Sequence, residues 1–130
     1  MQKIMFLDEN HMRFYKEVTD KIRDAYDGIE PDVYQKSLIY VLGLSDDCRS
    51  HLPEIFRVDS NEIRPEVLCA GWQTSGSIRL VLFAFNLWNN FVPDELPDRV
   101  SVSELFSGNP NLQPYLFEAI RLRYPQPKLP

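Results

Sequence analysis

Four side chains in this 130-residue chain are imidazoles or thiols, groups that can bind zinc or act as base and nucleophile: His11, Cys48, His51 and Cys69. By count they make a zinc-like set of two imidazoles and two thiols. Cys48 and His51 lie three residues apart, and on a helix that spacing puts both on one face. Structural zinc sites, however, show paired ligand spacing. Here there is no Cys-x-x-Cys, and His11 and Cys69 are isolated. The same residues offer Cys–His pairs for nucleophilic catalysis, Cys48 with His51 or Cys69 with either histidine. No orienting third group or oxyanion loop is identifiable from spacing, and no Gly-x-Ser-x-Gly elbow occurs. Structural thiols and surface imidazoles account for all four residues. We therefore expect no cofactor and no metal, and assign no catalytic residue.

The segment Gly71–Arg79 is the strongest candidate for a site. Thr74, Ser75, Gly76 and Ser77 precede an apolar run, so free backbone N–H groups and hydroxyls would converge at a helix start, with Arg79 nearby. It is no P-loop, because the second glycine, the Gly-Lys pair and a preceding strand are missing. Trp72 supplies contact area, Gln73 both donates and accepts, and Arg79 suits an anion or carboxylate. Trp72, Gln73, Thr74, Ser75, Ser77 and Arg79 are thus the candidate interaction or anion site. The competing reading is a structural turn, with ordinary capping by Thr or Ser, Trp72 plugging the core and Gln73 satisfying backbone groups. The carboxylate pairs Asp8-Glu9 and Asp46-Asp47 sit where helices should start and are explained by the helix dipole. Arg121 and Arg123 suit a last helical turn in the same way.

These residues must be carried by helices. Asp8 is a good N-cap, and Met12, Tyr15, Val18, Ile22 and Tyr26 recur at helical spacing until Gly28. Pro31 suits the first turn of a second helix, which carries the apolar run Leu38–Leu42 and stops at Gly43. Ser45 caps a third helix that Pro53 breaks or restarts, and a minor hairpin is admissible near 56–64, around Asp59-Ser60-Asn61. Pro65 opens a short helix through Cys69. The run 78–91 is apolar almost all round and is expected as a central helix, with Leu82, Phe85 and Trp88 deeply buried. Ser101-Val102-Ser103-Glu104 reads as a capping box, and a last helix carries Leu112, Tyr115, Leu116, Ala119 and Ile120. The expectation is an all-α, single-domain helical bundle over 1–124 with a proline-rich extended tail, 125–130.

Bulk properties narrow the function classes. The chain is 44% hydrophobic, 12% aromatic and 25% charged, which supports one globular core without disulfide or metal staples. A net charge of −5 opposes non-specific nucleic-acid binding. No apolar stretch approaches the roughly 20 residues that span a bilayer, and the N-terminus lacks the apolar core of a signal peptide. Two cysteines do not make a disulfide framework. We expect a cytoplasmic protein with free thiols.

Several segments together resemble a family of small uncharacterised proteins from phages and mobile elements of Gram-positive bacteria. They are Phe6-Leu7-Asp8-Glu9 with His11, Ile39-Tyr40-Val41-Leu42-Gly43, Ile63-Arg64-Pro65 with Leu68, Gly71-Trp72-Gln73-Thr74, Phe85-Asn86-Leu87-Trp88 and Phe117–Pro125. The resemblance covers most of the chain; the acidic Pro93–Pro97 loop and the proline tail depart from it. It supplies no activity, and implies a mobile-element accessory protein in a bacterial cell. The expected function is non-catalytic interaction with another protein, such as inhibition of a host defence protein. The alternative is a small-ligand or anion-binding domain, or an unrecognised enzyme, with its site at Trp72–Arg79.

Overall fold

The computed structural model describes residues 3–92 and 101–126. The Pro93–Pro97 loop and the last four residues of the expected tail lie outside them. Within the described residues the chain is mostly helical. In order it forms α1 (Glu9–Ala25), α2 (Val33–Leu42), α3 (Asp46–Ser50), α4 (Leu52–Ile55), β1 (Phe56–Arg57), β2 (Glu62–Ile63), a 3-10 turn (Pro65–Cys69), α5 (Ser75–Asn89), α6 (Val102–Gly108), a second 3-10 turn (Pro110–Leu112) and α7 (Gln113–Arg123). The expected hairpin is present as a two-stranded antiparallel ladder, with Phe56 opposite Ile63 and Arg57 opposite Glu62.

The helix starts follow local chemistry. The Asp8 carboxylate accepts from the His11 N–H at 2.8 Å and caps α1. Ser45 caps α3 and Ser101 caps α6 in the same way. The expected start of α2 at Pro31 is corrected. Asp32 is the N-cap, and it exchanges hydrogen bonds with Gln35 in a capping box that satisfies two backbone donors at once. The bounds of the apolar helix expected over 78–91 are also shifted. The helix runs over 75–89, because Thr74 and Ser77 form a capping box at one end and Asn90 turns left-handed (φ 64°) at the other.

Burial divides the centre of the molecule between two helices. Leu38, Ile39, Tyr40, Val41 and Leu42 are all fully buried, and α2 packs against α5, α7 and α1. Along α5, Val81, Ala84 and Phe85 are fully buried and Leu82 nearly so. Trp88, expected deep, is only half-buried and meets Phe56 edge-on at 5.3 Å. Helix α5 therefore keeps a partly open side, and α2 is the more completely enclosed element. A fully buried aliphatic side chain contributes roughly 1.5–3 kcal/mol, so this α2–α5 contact anchors the fold.

A strap precedes α1 and ties three helices together. The Met5 N–H donates to Glu118 Oε2 on α7 at 2.6 Å, and Met5 C=O accepts from the Tyr40 hydroxyl on α2 at 2.5 Å. Gly43 follows α2 where a Cβ would stand 2.6 Å from His11 Cδ2 and 2.9 Å from Phe14 Cδ1. Glycine is required there by close approach, since its backbone is ordinary right-handed helix.

Candidate functional site

The turn before α5 is built around Ser77. Its N–H donates to Thr74 Oγ1 at 3.1 Å, its hydroxyl accepts from the Thr74 N–H at 2.8 Å, and the same hydroxyl donates to Gln73 Oε1 at 2.5 Å. Gln73 Nε2 then reaches back to the Val67 carbonyl at 3.1 Å, locking the 3-10 turn to the start of α5. The structure thus brings Gln73, Thr74 and Ser77 into one bonded cluster in which each group serves its neighbour. Ser75 stands exposed beside it. Arg79 lies elsewhere: its guanidinium rests on the end of α6, with Nη1 3.0 Å from the point a Cβ would occupy at Gly108.

Trp72 is half-buried and packs against the edge of the hydrophobic core. Its ring stacks face to face on His51, with centroids 4.1 Å apart and planes within 4°. His51 Nδ1 is in turn hydrogen-bonded to the Glu54 carboxylate. The indole Nε1 is buried with no hydrogen-bond partner. The stack joins the α3–α4 corner to the turn before α5.

The other chemistry-bearing residues do not converge. His11 is fully buried among Phe6, Tyr15 and Tyr40. Its Nδ1 accepts from the Leu7 N–H at 3.1 Å, so Nε2 carries the proton and donates to the Tyr40 carbonyl at 2.8 Å. Both ring nitrogens are satisfied in the neutral form. Burial pushes the pKa of His11 down, outweighing the pull of the Tyr40 carbonyl and Asp8. Cys48 is also fully enclosed, and burial raises its thiol to about 11, far from a reactive thiolate. Cys69 is exposed. Among the described residues no group of three His, Cys, Asp or Glu side chains is placed to hold a metal ion, and no helix is long and apolar enough to cross a membrane.

A second region, which the sequence reading did not single out, has the opposite character. Helix α7 buries Leu116, Glu118 and Ala119. Phe117 and the residue after the helix, Tyr124, are seven apart and therefore on one face; they are 63% and 55% exposed. Phe117 touches Phe106 of α6 at 4.9 Å between ring centroids, and the exposed Val102 lies one turn before Phe106. At the far end Arg123 is held between two rings, its Cζ 4.1 Å from the centre of Tyr34 and 4.4 Å from that of Tyr124. Its Nε donates to the Leu87 carbonyl at 2.7 Å, satisfying an end carbonyl of α5. The sequence signal was the seven-residue spacing of Phe117 and Tyr124. It was obscured because Tyr115, Leu116 and Phe117 are consecutive and all apolar, and only packing decides which face is covered.

Comparison with known proteins supplies the affiliation. A family model described as a family of unknown function (DUF6075) matches residues 1–128. The chain belongs to this family. No curated protein and no solved structure matches it. Within this DUF6075 chain, several segments singled out by sequence have structural duties. His11 and Gly43 pack against each other, Glu118 holds the strap, and Gln73 and Thr74 build the α5 start.

Proposed function

We propose that this DUF6075 protein is a non-catalytic protein-interaction domain, and that its partner binds the aromatic ridge formed by Tyr34, Val102, Phe106, Phe117, Arg123 and Tyr124. The observation that carries this reading is the exposure of large apolar side chains on one side of α7, next to an arginine framed by two tyrosines. Contiguous exposed apolar surface marks contact sites, and tyrosine and arginine dominate the energetics of interfaces. Arg123 is already immobilised, so binding a partner there costs little side-chain entropy. In the mobile-element setting that the sequence resemblance implies, one form of such a role is inhibition of a host defence protein.

The alternative, a ligand or anion site at Trp72–Arg79, is weakened by the internal use of Gln73, Thr74 and Ser77. One experiment separates the two. Wild type, a Phe117→Ala/Tyr124→Ala variant and an Arg79→Ala variant are immobilised and used to capture proteins from cells that encode the chain, with melting curves recorded for each. The expected result is a stoichiometric protein lost only with the ridge variant, at unchanged melting temperature. Capture that survives the ridge variant, or that disappears with Arg79→Ala at intact stability, contradicts the proposal.

A further inference from the structure

The arginines of the described residues divide by what neutralises them. Arg13, Arg23, Arg49, Arg64 and Arg121 each pair with a carboxylate close by in the chain. Arg57 is exposed on the hairpin, with Glu62 as its cross-strand neighbour. Arg79 rests against Gly108 at the C-terminal end of α6, where the helix dipole favours a cation. Arg123 is the exception. It is half-buried, and its partners are the Leu87 carbonyl and the rings of Tyr34 and Tyr124, with no carboxylate among the described residues.

That arrangement leaves a defined chemistry unused. Capping the end of α5 accounts for Nε and for the position of the charge. It does not use the two terminal nitrogens, whose fork matches a carboxylate in the plane of the guanidinium. The flanking rings are 43% and 55% exposed, so the slot lies at the surface rather than in the core. Rings and a backbone bond hold the group in place before anything binds, which lowers the entropy cost of using it. A single unpaired cation in a chain of net charge −5 suits one monoanionic group set among apolar contacts; a polyanion would need a basic patch. Phe117 stands earlier on the same helix, about 9 Å along its axis. An extended segment covers that distance in about three residues.

We propose that the partner of the ridge presents a side-chain carboxylate to the terminal nitrogens of Arg123 and an apolar side chain to Phe117. The inference rests on the ridge reading above and adds the chemistry of what binds there. To test it, random linear peptides are selected on the immobilised full chain, and peptides that also bind Phe117→Ala/Tyr124→Ala are discarded. The remaining, ridge-dependent peptides are expected to carry Asp or Glu about three residues from an apolar residue. Changing that acid to its amide should weaken binding about tenfold on the wild type and leave it unchanged on Arg123→Gln. The amide is placed in the peptide, so the wild-type comparison stands even if Arg123→Gln loses stability by uncapping α5. Ridge-dependent peptides with no need for an acid overturn the inference and leave the ridge reading intact. Discrimination between acid and amide that persists on Arg123→Gln does the same. Phosphoserine binding about tenfold better than glutamate at that place also overturns it, since the slot would then be a phosphate site. The absence of any ridge-dependent peptide counts against the inference and the ridge reading together.

Discussion

The turn before α5 and the ridge on α7 present similar residue types to different ends. At the turn, Gln73, Thr74 and Ser77 bond one another and the Val67 carbonyl, and Trp72 leans on His51. On the ridge, Phe117 and Tyr124 face outward, and Arg123 is fixed by one backbone carbonyl and two rings. Polar groups that complete one another hold a fold together and leave few donors for a ligand. Apolar groups left uncovered carry a cost that a partner relieves. Richness in functional side chains is therefore a poorer guide to a site than whether those side chains are already engaged.

The largest expected effect belongs to the core from which both regions hang. Phe85→Ala removes a fully buried ring from the α2–α5 contact and should cost about 3–5 kcal/mol in a denaturant melt. A loss as small as a surface substitution would remove the scaffold on which the comparison rests. The next effect comes from pH. Burial holds the pKa of His11 below its ordinary value of 6.5, so above that value both folded and unfolded states are neutral there and nothing is lost. As pH falls below it, the unfolded chain takes up the proton first, and stability declines until the folded-state pKa is reached. Protonation also sets Nδ1–H against the Leu7 N–H, so strap amides should exchange faster in acid. Melts from neutral to mildly acid pH, repeated with His11→Gln, should show a slope in the wild type that the variant lacks.

Smaller effects separate the two regions directly. Gln73→Ala removes one hydrogen bond from the Ser77 hydroxyl and one from the Val67 carbonyl, which keep Thr74 and the Ala70 N–H as partners, and should cost about 0.5–1.5 kcal/mol, with any loss of binding tracking the loss of fold. Phe117→Ala uncovers little, and its stability change should stay within about 0.5 kcal/mol. If Gln73→Ala proved neutral in a melt while Phe117→Ala proved costly, the roles assigned to the two regions would be reversed.

How much of this was legible in the sequence depended on how local the determining chemistry is. Asp8, Ser45 and Ser101 act within three residues of themselves, and each of these caps could be read directly, although of the box expected at Ser101–Glu104 only the bond from the Glu104 N–H to Ser101 is formed; Thr74 was one of several candidate caps, and the helix start was placed three residues late. The hairpin near 56–64 was legible from its turn residues for the same reason. The start of α2 was misplaced because Pro31 and Asp32 both suit a helix entry, and the reciprocal bond to Gln35 decides between them. The depth of Trp88 was overestimated because an all-round apolar pattern does not say which side the neighbouring helices leave open. At the candidate site, sequence identified the cap but not that Gln73 would be held at both ends. The ridge depends on α2, α5, α6 and α7 meeting, residues up to 90 apart, and no spacing rule reaches that far.

The central claim is that contact happens on the α7 ridge and not at the turn before α5. A photoreactive benzophenone side chain placed at position 117, and separately at the exposed position 75, tests it in cells that encode the protein. The claim predicts one discrete crosslinked protein from position 117, absent when Tyr124→Ala and Tyr34→Ala are added, and none from position 75. A discrete adduct from position 75 with none from 117 would contradict it and return the site to the Trp72–Arg79 segment.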